Sequence, residues 1–147
     1  MWEIRELEEC ELEGAAVLEA KIFSDAWSVG ALKETYAQNH TALLGAFDQE
    51  RLIGYVIVYF ALDEGEIARI AVDEPYRGRG VARALLEGLF GICRDRGVKR
   101  ILLDVRPSNE AAVACYRKYG FVQDGVRRRF YADPMEDAVL MSRDVGK

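Results

Sequence analysis

The sequence predicts an α/β fold of the α+β kind, a mixed and mostly antiparallel sheet with one central parallel strand pair and about four flanking helices. Three observations predict it. The first half of the chain sets short apolar strands against polar turns, as hairpins do. At "YRGRGVARALLEGLFGICRDRG" (76–97) the pattern changes to a glycine-rich loop running into a helix. That loop and helix join a strand ending near residue 72 to another at 100–106, and such a crossover makes its two strands parallel.

Taken in order, residues 2–7 alternate as a first strand. Leu12, Ala15, Ala16, Leu18, Ala20 and Ile22 give a helix over 8–23 an apolar side. Ser28 is suited to cap a second helix reaching about Asn39. "TALLGAFDQERLIGYVIVYFAL" is a hairpin around its polar centre, and "GEIARIAV" adds a strand. Leu85, Leu86, Leu89 and Ile92 repeat at helical spacing until Gly97 stops the run. Pro107 and Ser108 open a fourth helix ending at Tyr119-Gly120, and "FVQDGVRRRFY" with "EDAVLMSRDV" closes the sheet. Met135, Met141, Val139 and Leu140 are assigned to the core. With 147 residues and neither repeat nor linker, one domain over 1–147 is expected.

Composition excludes several classes. Half the residues are hydrophobic and 31% are charged, which is globular rather than disordered. The net charge of −5 argues against a nucleic-acid partner. Alternation would send Arg127, Arg128 and Arg129 to opposite faces of a strand, so they make no basic patch. No apolar run approaches the ~20 residues that span a bilayer, and the acidic start "MWEIRELEECELE" is no signal peptide. Cys10, Cys93 and Cys115 are odd in number and form no C-x-x-C pair, which fits reduced thiols in a cytoplasm and no metal site. His40 is the single histidine, and no nucleophile-elbow motif accompanies it.

Two local features ask for chemistry. Gly78 and Gly80 sit where a strand turns into a helix, an arrangement that offers free backbone N–H groups to an anion, with Arg77, Arg79 and Arg83 adding charge. The Walker pattern is absent, and Arg83 stands where a dinucleotide fingerprint has its third glycine. The second feature is Asp104 within "RILLDVRPSN" (100–109), a carboxylate among residues that ask for burial. An unpaired buried carboxylate costs several kcal/mol, so Asp104 either faces a wet cleft or is paired with Arg69, Arg106 or a backbone N–H.

"RGRGVA" (77–82), followed by "VRPSNEAAVACYRKYGFV" (105–122), resembles the acetyl-coenzyme A loop and the N-x-x-A-x-x-x-Y-x-x-x-G-F element of the GCN5-related N-acetyltransferases. Within that family, "AWS" (26–28), "LLDVRPSN" and "RRRFYADPMEDAVLM" (127–141) look like the branch that acetylates ribosomal-protein amino termini. The resemblance implies that the parallel pair is splayed around acetyl-CoA. Ile70, Ala71 and Val72 would pair with the pantetheine arm, and Gly78, Arg79, Gly80, Val81, Ala82 and Arg83 would hold the pyrophosphate. Asn109 would contact the arm, seven residues before Tyr116 on one helix and therefore on nearly the same face. Tyr116 would protonate the departing thiolate and Asp104 would act as general base, although that branch has glutamate at this position. Trp27 and Tyr131 would line the peptide cleft, with Ala26 where a proline is usual.

The implied activity is direct transfer, in a ternary complex, of an acetyl group to the α-amine of a protein, such as a ribosomal protein. The partners would be acetyl-CoA and that amino terminus, with neither nucleic acid nor membrane. Two alternatives stay open: acetylation of a small amine or a lysine side chain, and a coenzyme A-binding module without catalysis.

Overall fold

A computed structural model describes residues 2–145. The expected domain over 1–147 includes Met1, Gly146 and Lys147, which lie outside the described residues. Seven strands and four α-helices are formed: β1 (Glu3–Glu6), α1 (Leu12–Ile22), α2 (Val29–Ala37), β2 (Thr41–Asp48), β3 (Arg51–Ala61), β4 (Glu64–Val72), α3 (Val81–Arg96), β5 (Arg100–Val105), α4 (Glu110–Lys118), β6 (Val122–Tyr131) and β7 (Glu136–Asp144). Short 3₁₀ turns precede α1 and follow β4. The strands form one sheet in the order β1-β2-β3-β4-β5-β7-β6, and among the described residues only β4 and β5 run parallel.

Alternation along the strands divides the core in two. Leu44, Ala46, Val56 and Val58 point to the face covered by α3 and α4, with Leu85, Leu86, Leu89 and Tyr116. Their neighbours Leu43, Phe47, Tyr55 and Ile57 point to the opposite face, covered by α1 and α2, with Leu12, Ala15, Leu18 and Leu32. Complete burial of each such Leu, Ile or Phe contributes about 1.5–3 kcal/mol. Gly54 of β3 lets the start of α3 sit close, because a Cβ there would lie 2.8 Å from the Ala71 carbonyl oxygen and 3.3 Å from Val81.

The helix ends follow local chemistry. The Ser28 hydroxyl accepts from the Ala31 N–H at 3.1 Å and starts α2. Gly97, with φ 75°, ends α3 in the left-handed conformation. Helix α4 starts later than expected. Its N-cap is Asn109, whose side chain accepts from the Ala112 N–H at 3.2 Å. The Ser108 N–H and hydroxyl are engaged instead by Glu136 at 2.8 and 2.9 Å.

Two expectations about the last hairpin fail. Met135 is 65% exposed rather than in the core, because it lies in the turn between β6 and β7, and Leu140 is only half-buried on the strand face opposite Val139 and Met141, which are buried. Strict alternation of Arg127–Arg129 is also lost. The β6–β7 register slips between Arg127 and Tyr131, Arg129 takes φ 52°, and all three arginines are exposed.

Candidate active site between the parallel strands

The parallel pairing of β4 and β5 is short. It joins Glu64–Ile67 to Arg100–Leu103 and stops. Beyond it β4 continues against β3 to Val72, and β5 continues against β7 to Val105. The two strands therefore diverge around a slot whose walls carry backbone groups. A β-bulge marks the divergence: Arg69 pairs with Ile57 and Ile67 with Val58, leaving Ala68 as the extra residue. The bulge sends two successive residues to one face. Ala68 packs with the α1–α2 cluster, and Arg69 reaches Glu19 of α1.

Beyond the bulge, alternation resumes and decides which backbone groups are free. The Asp73 N–H donates to the Ile53 carbonyl at 2.8 Å, so Asp73 is hydrogen-bonded to β3. By antiparallel alternation Ala71 turns the same way, whereas Ile70 and Val72 turn their N–H and C=O groups toward the slot. Of the three strand residues named from the sequence, two offer a ladder edge and Ala71 is committed to β3. Arg77 accompanies them, its Nε donating to the Val72 carbonyl at 3.0 Å.

At the slot's end the chain turns through Gly78 (φ 74°) and Gly80 (φ 89°) into α3. A Cβ at either glycine would meet nothing within 4 Å, so the loop lies open. The first N–H groups of α3, from Val81, Ala82 and Arg83, are those that a helix leaves free for an anion. Arg79 is braced rather than loose. Its guanidinium lies 5.1 Å from the ring centres of both Trp2 and Tyr76, and its carbonyl accepts from the Trp2 indole at 3.3 Å. Arg83 pairs with Glu87 at 3.2 Å along the helix.

The two candidate catalytic residues approach the slot from opposite faces. Ile101, Leu103 and Val105 join the α3–α4 core, so Asp104 between them points toward the α1–α2 face. It is half-buried, and among the described residues its carboxylate has no ion pair or hydrogen bond. The pairings considered for it go elsewhere: Arg69 binds Glu19 and Asp25, and Arg106 binds Glu136 and the Ala132 and Pro134 carbonyls.

Tyr116 belongs to the other face. Its ring is 6% exposed and packs edge-on to Phe121 at 5.6 Å. Burial raises its hydroxyl well above the usual tyrosine value, so the hydroxyl stays protonated. Neighbouring Cys115 is also raised by burial, and Cys93 is pushed up to about 11 by the same cause. Neither thiol is set up as a nucleophile.

Asn109 adjoins these residues as the cap of α4 rather than as a member of it, so the seven-residue helical spacing to Tyr116 does not describe its direction. Tyr131, at the end of β6, stands near Asp104. Burial first, and then the Asp104 charge, push its hydroxyl up to about 12, and Arg106 lies 4.3 Å over its ring. Trp27, half-buried between α1 and α2, packs on the α1–α2 core, the face toward which Asp104 points. That loop is held by Glu19, which was not singled out in the sequence, and by Arg69, which was considered there only as a partner for Asp104. The signal was present: Glu19 interrupts the apolar stripe of Ala15, Leu18 and Ile22 as visibly as Asp104 interrupts its strand. No group of three His, Cys, Asp or Glu side chains among the described residues is arranged to hold a metal.

A sheet with one splayed parallel pair beside a glycine turn and a helix N-terminus is the frame of an acetyl-transfer enzyme. The sequence model of the Acetyltransferase (GNAT) family matches residues 2–121, and the chain belongs to that family. It is an N-acetyltransferase, and its acetyl donor is acetyl-CoA. The open glycine loop fits that donor's phosphates, and the slot-facing edge of Ile70 and Val72, where Arg77 holds only the Val72 carbonyl, fits its amide-bearing arm.

The chain is similar to an N-alpha-acetyltransferase, RimI, of Mycobacterium tuberculosis, at 37% identity over 95% of this chain and 90% of that protein. It is 35% identical to the [Ribosomal protein bS18]-alanine N-acetyltransferase of Escherichia coli, covering 95% of each. The crystal structure of the ribosomal-protein-S18-alanine N-acetyltransferase from Escherichia coli superposes with a TM-score of 0.92 at 32% identity, over 100% of this chain and 96% of that one. NAA60 of Arabidopsis thaliana, solved with a bisubstrate analogue, shares the fold with a TM-score of 0.90 at 20% identity, over 98% of each chain.

Proposed function

We propose that this chain is a single-domain, cytoplasmic enzyme that moves the acetyl group of acetyl-CoA to the α-amine of a ribosomal protein, the counterpart of S18 with an amino-terminal alanine. The early end of β4–β5 pairing carries this reading. It opens a slot with a hydrogen-bonding edge on one wall and an unpaired carboxylate at its mouth. The relatives that name a ribosomal-protein alanine match nearly the whole chain, which supports the acceptor class. Among the described residues no helix is long and apolar enough to cross a membrane.

Acetyl-CoA supplies the thioester. Ile70 and Val72 would hold its arm as an added strand, while Gly78–Arg83 and the start of α3 would hold its phosphates. Asp104, directly or through a water, would take a proton from the incoming ammonium, freeing the amine lone pair. The amine would attack the carbonyl from the α1–α2 face, between Trp27 and Tyr131. Tyr116, protonated on the opposite face, would give its proton to the sulfur as the carbon–sulfur bond breaks, and the acylated nitrogen would shed its second proton through water, restoring the tyrosine. An unperturbed tyrosine titrates near 10, so Tyr116 is protonated at neutral pH; burial keeps it so while making it a weaker acid toward a thiolate whose conjugate acid lies near 8.5.

The test is release of free thiol from acetyl-CoA with a panel of acceptors. A peptide carrying the amino terminus of S18 should be acetylated at its α-amine, shown by mass spectrometry, and a pre-acetylated peptide should be inert. Faster turnover of spermidine or a lysine peptide would replace the acceptor assignment. Coenzyme A binding without thiol release on any amine would replace the catalytic one.

A further inference from the structure

The carboxylate of Glu19 is fully buried, and four donor groups converge on it. The Tyr55 hydroxyl donates to one oxygen. Arg69 donates to both, through Nε at 3.0 Å and a terminal nitrogen at 3.1 Å. The Trp27 backbone N–H donates at 2.9 Å. Arg69 then continues to the loop itself, bonding the Asp25 carbonyl at 3.0 Å and its side chain at 3.3 Å. Its guanidinium also lies 3.8 Å over the Phe23 ring and 5.7 Å from Trp27.

These contacts join three separate elements. Glu19 is on α1, Tyr55 is on β3, and Arg69 is at the β4 bulge where the slot opens. All the bonds to the loop fall on Asp25 and Trp27. A buried ion pair rarely adds net stability over apolar packing, so its worth here is sought in what it orients. Asp104 makes no such bonds, and Tyr116 and the glycine loop lie away from this cluster.

From this geometry we infer that Glu19 and Arg69 are positioning residues for acceptor recognition: they tie the Trp27 loop to the β4 bulge and so set the width of the acceptor side of the slot. The inference rests on the proposed acetyl transfer to a peptide amine. It predicts that weakening the pair raises KM for the peptide while leaving kcat and donor binding nearly unchanged. A merely structural pair would lower stability and disturb both substrates together.

The decisive variants are Glu19→Gln, which keeps size and one acceptor oxygen, and Arg69→Lys, which keeps charge and loses the fork. Both are made beside Trp2→Phe, so that Trp27 is the only tryptophan. Acrylamide quenching of Trp27 should at least double, and the calorimetric Kd for coenzyme A should stay within about twofold of the Trp2→Phe parent. The peptide KM should rise about tenfold or more, with kcat within about threefold. Should Glu19→Gln or Arg69→Lys not fold, Asp25→Asn carries the same test. Its carboxylate is 80% exposed and, among the described residues, bonds only to Arg69, and its expected KM rise is about threefold.

Unchanged quenching with unchanged peptide KM overturns the inference, as does an equal loss in coenzyme A and peptide binding. An inactive unsubstituted protein, with both tryptophans in place, would sink the acetyl-transfer reading instead. Quenching and coenzyme A binding would still decide whether the pair holds Trp27 independently of the donor site.

Discussion

At the residue scale the proposed mechanism rests on two groups whose environments differ. Tyr116 is buried and held in its acid form, so Tyr116→Phe should lower kcat about 10²-fold, leaving coenzyme A affinity unchanged. The pH profile should share that origin. Rate rises as the amine loses its proton near 8, then stays level through about pH 10, because the raised Tyr116 value keeps the donor protonated there. A descending limb near pH 9 would remove Tyr116 from the reaction. Asp104→Asn should cost about 10²-fold in kcat/KM, whereas Asp104→Glu should retain activity within about tenfold, since it keeps the carboxylate and lengthens its reach. Equal activity in Asp104→Asn would show that the carboxylate only shapes its strand. Asp104 was legible because a charge in an apolar strand is conspicuous. Its freedom from Arg69 and Arg106 was not legible, since that depended on where Glu19 and Glu136 lie.

At the element scale, the glycine loop, the parallel pair and the caps at Ser28 and Gly97 follow from local rules, and the sequence displays them. The bulge at Ala68 does not. "EIARIAV" contains no glycine or proline to announce an extra residue, and its register is fixed only by β3 across the ladder. The cap at Asn109 was missed for a similar reason, because Glu136 from β7 claims Ser108. The loop makes a sharp prediction. Gly78→Val forces a β-branched side chain into φ 74°, at a cost of about 1–2 kcal/mol, and should raise KM for acetyl-CoA about tenfold with little change in saturated rate.

The turn that follows β4 is anchored by Asp73, which is 2% exposed and meets Lys21 at 3.0 Å and Arg51 at 3.3 Å. Burial alone would raise its carboxyl, but the Lys21 bond, the Glu74 N–H and the Arg51 charge together hold it below the usual 3.8. Its stabilising contribution is therefore complete above the unfolded value and lost as pH falls through the lower folded one. Asp73→Asn should destabilise the protein by about 2 kcal/mol in urea unfolding at pH 7, with the difference shrinking below about pH 4.

At the scale of the whole molecule, the early hairpins together with the loop-and-helix crossover, both read from sequence, were enough to predict a mixed sheet with helices about it. Which helices cover which face was not readable, because that is set by handedness and by where the chain crosses the sheet. The outcome is that α3, α4 and the glycine loop serve one face, whereas α1, α2 and Trp27 serve the other. A sheet lined on both sides gives its two guests separate doors. Neither should have to arrive or depart first, so initial-rate lines at varied concentrations should intersect. Desulfo-coenzyme A should compete with acetyl-CoA but not with the peptide. Parallel lines would mean that one door closes before the other opens.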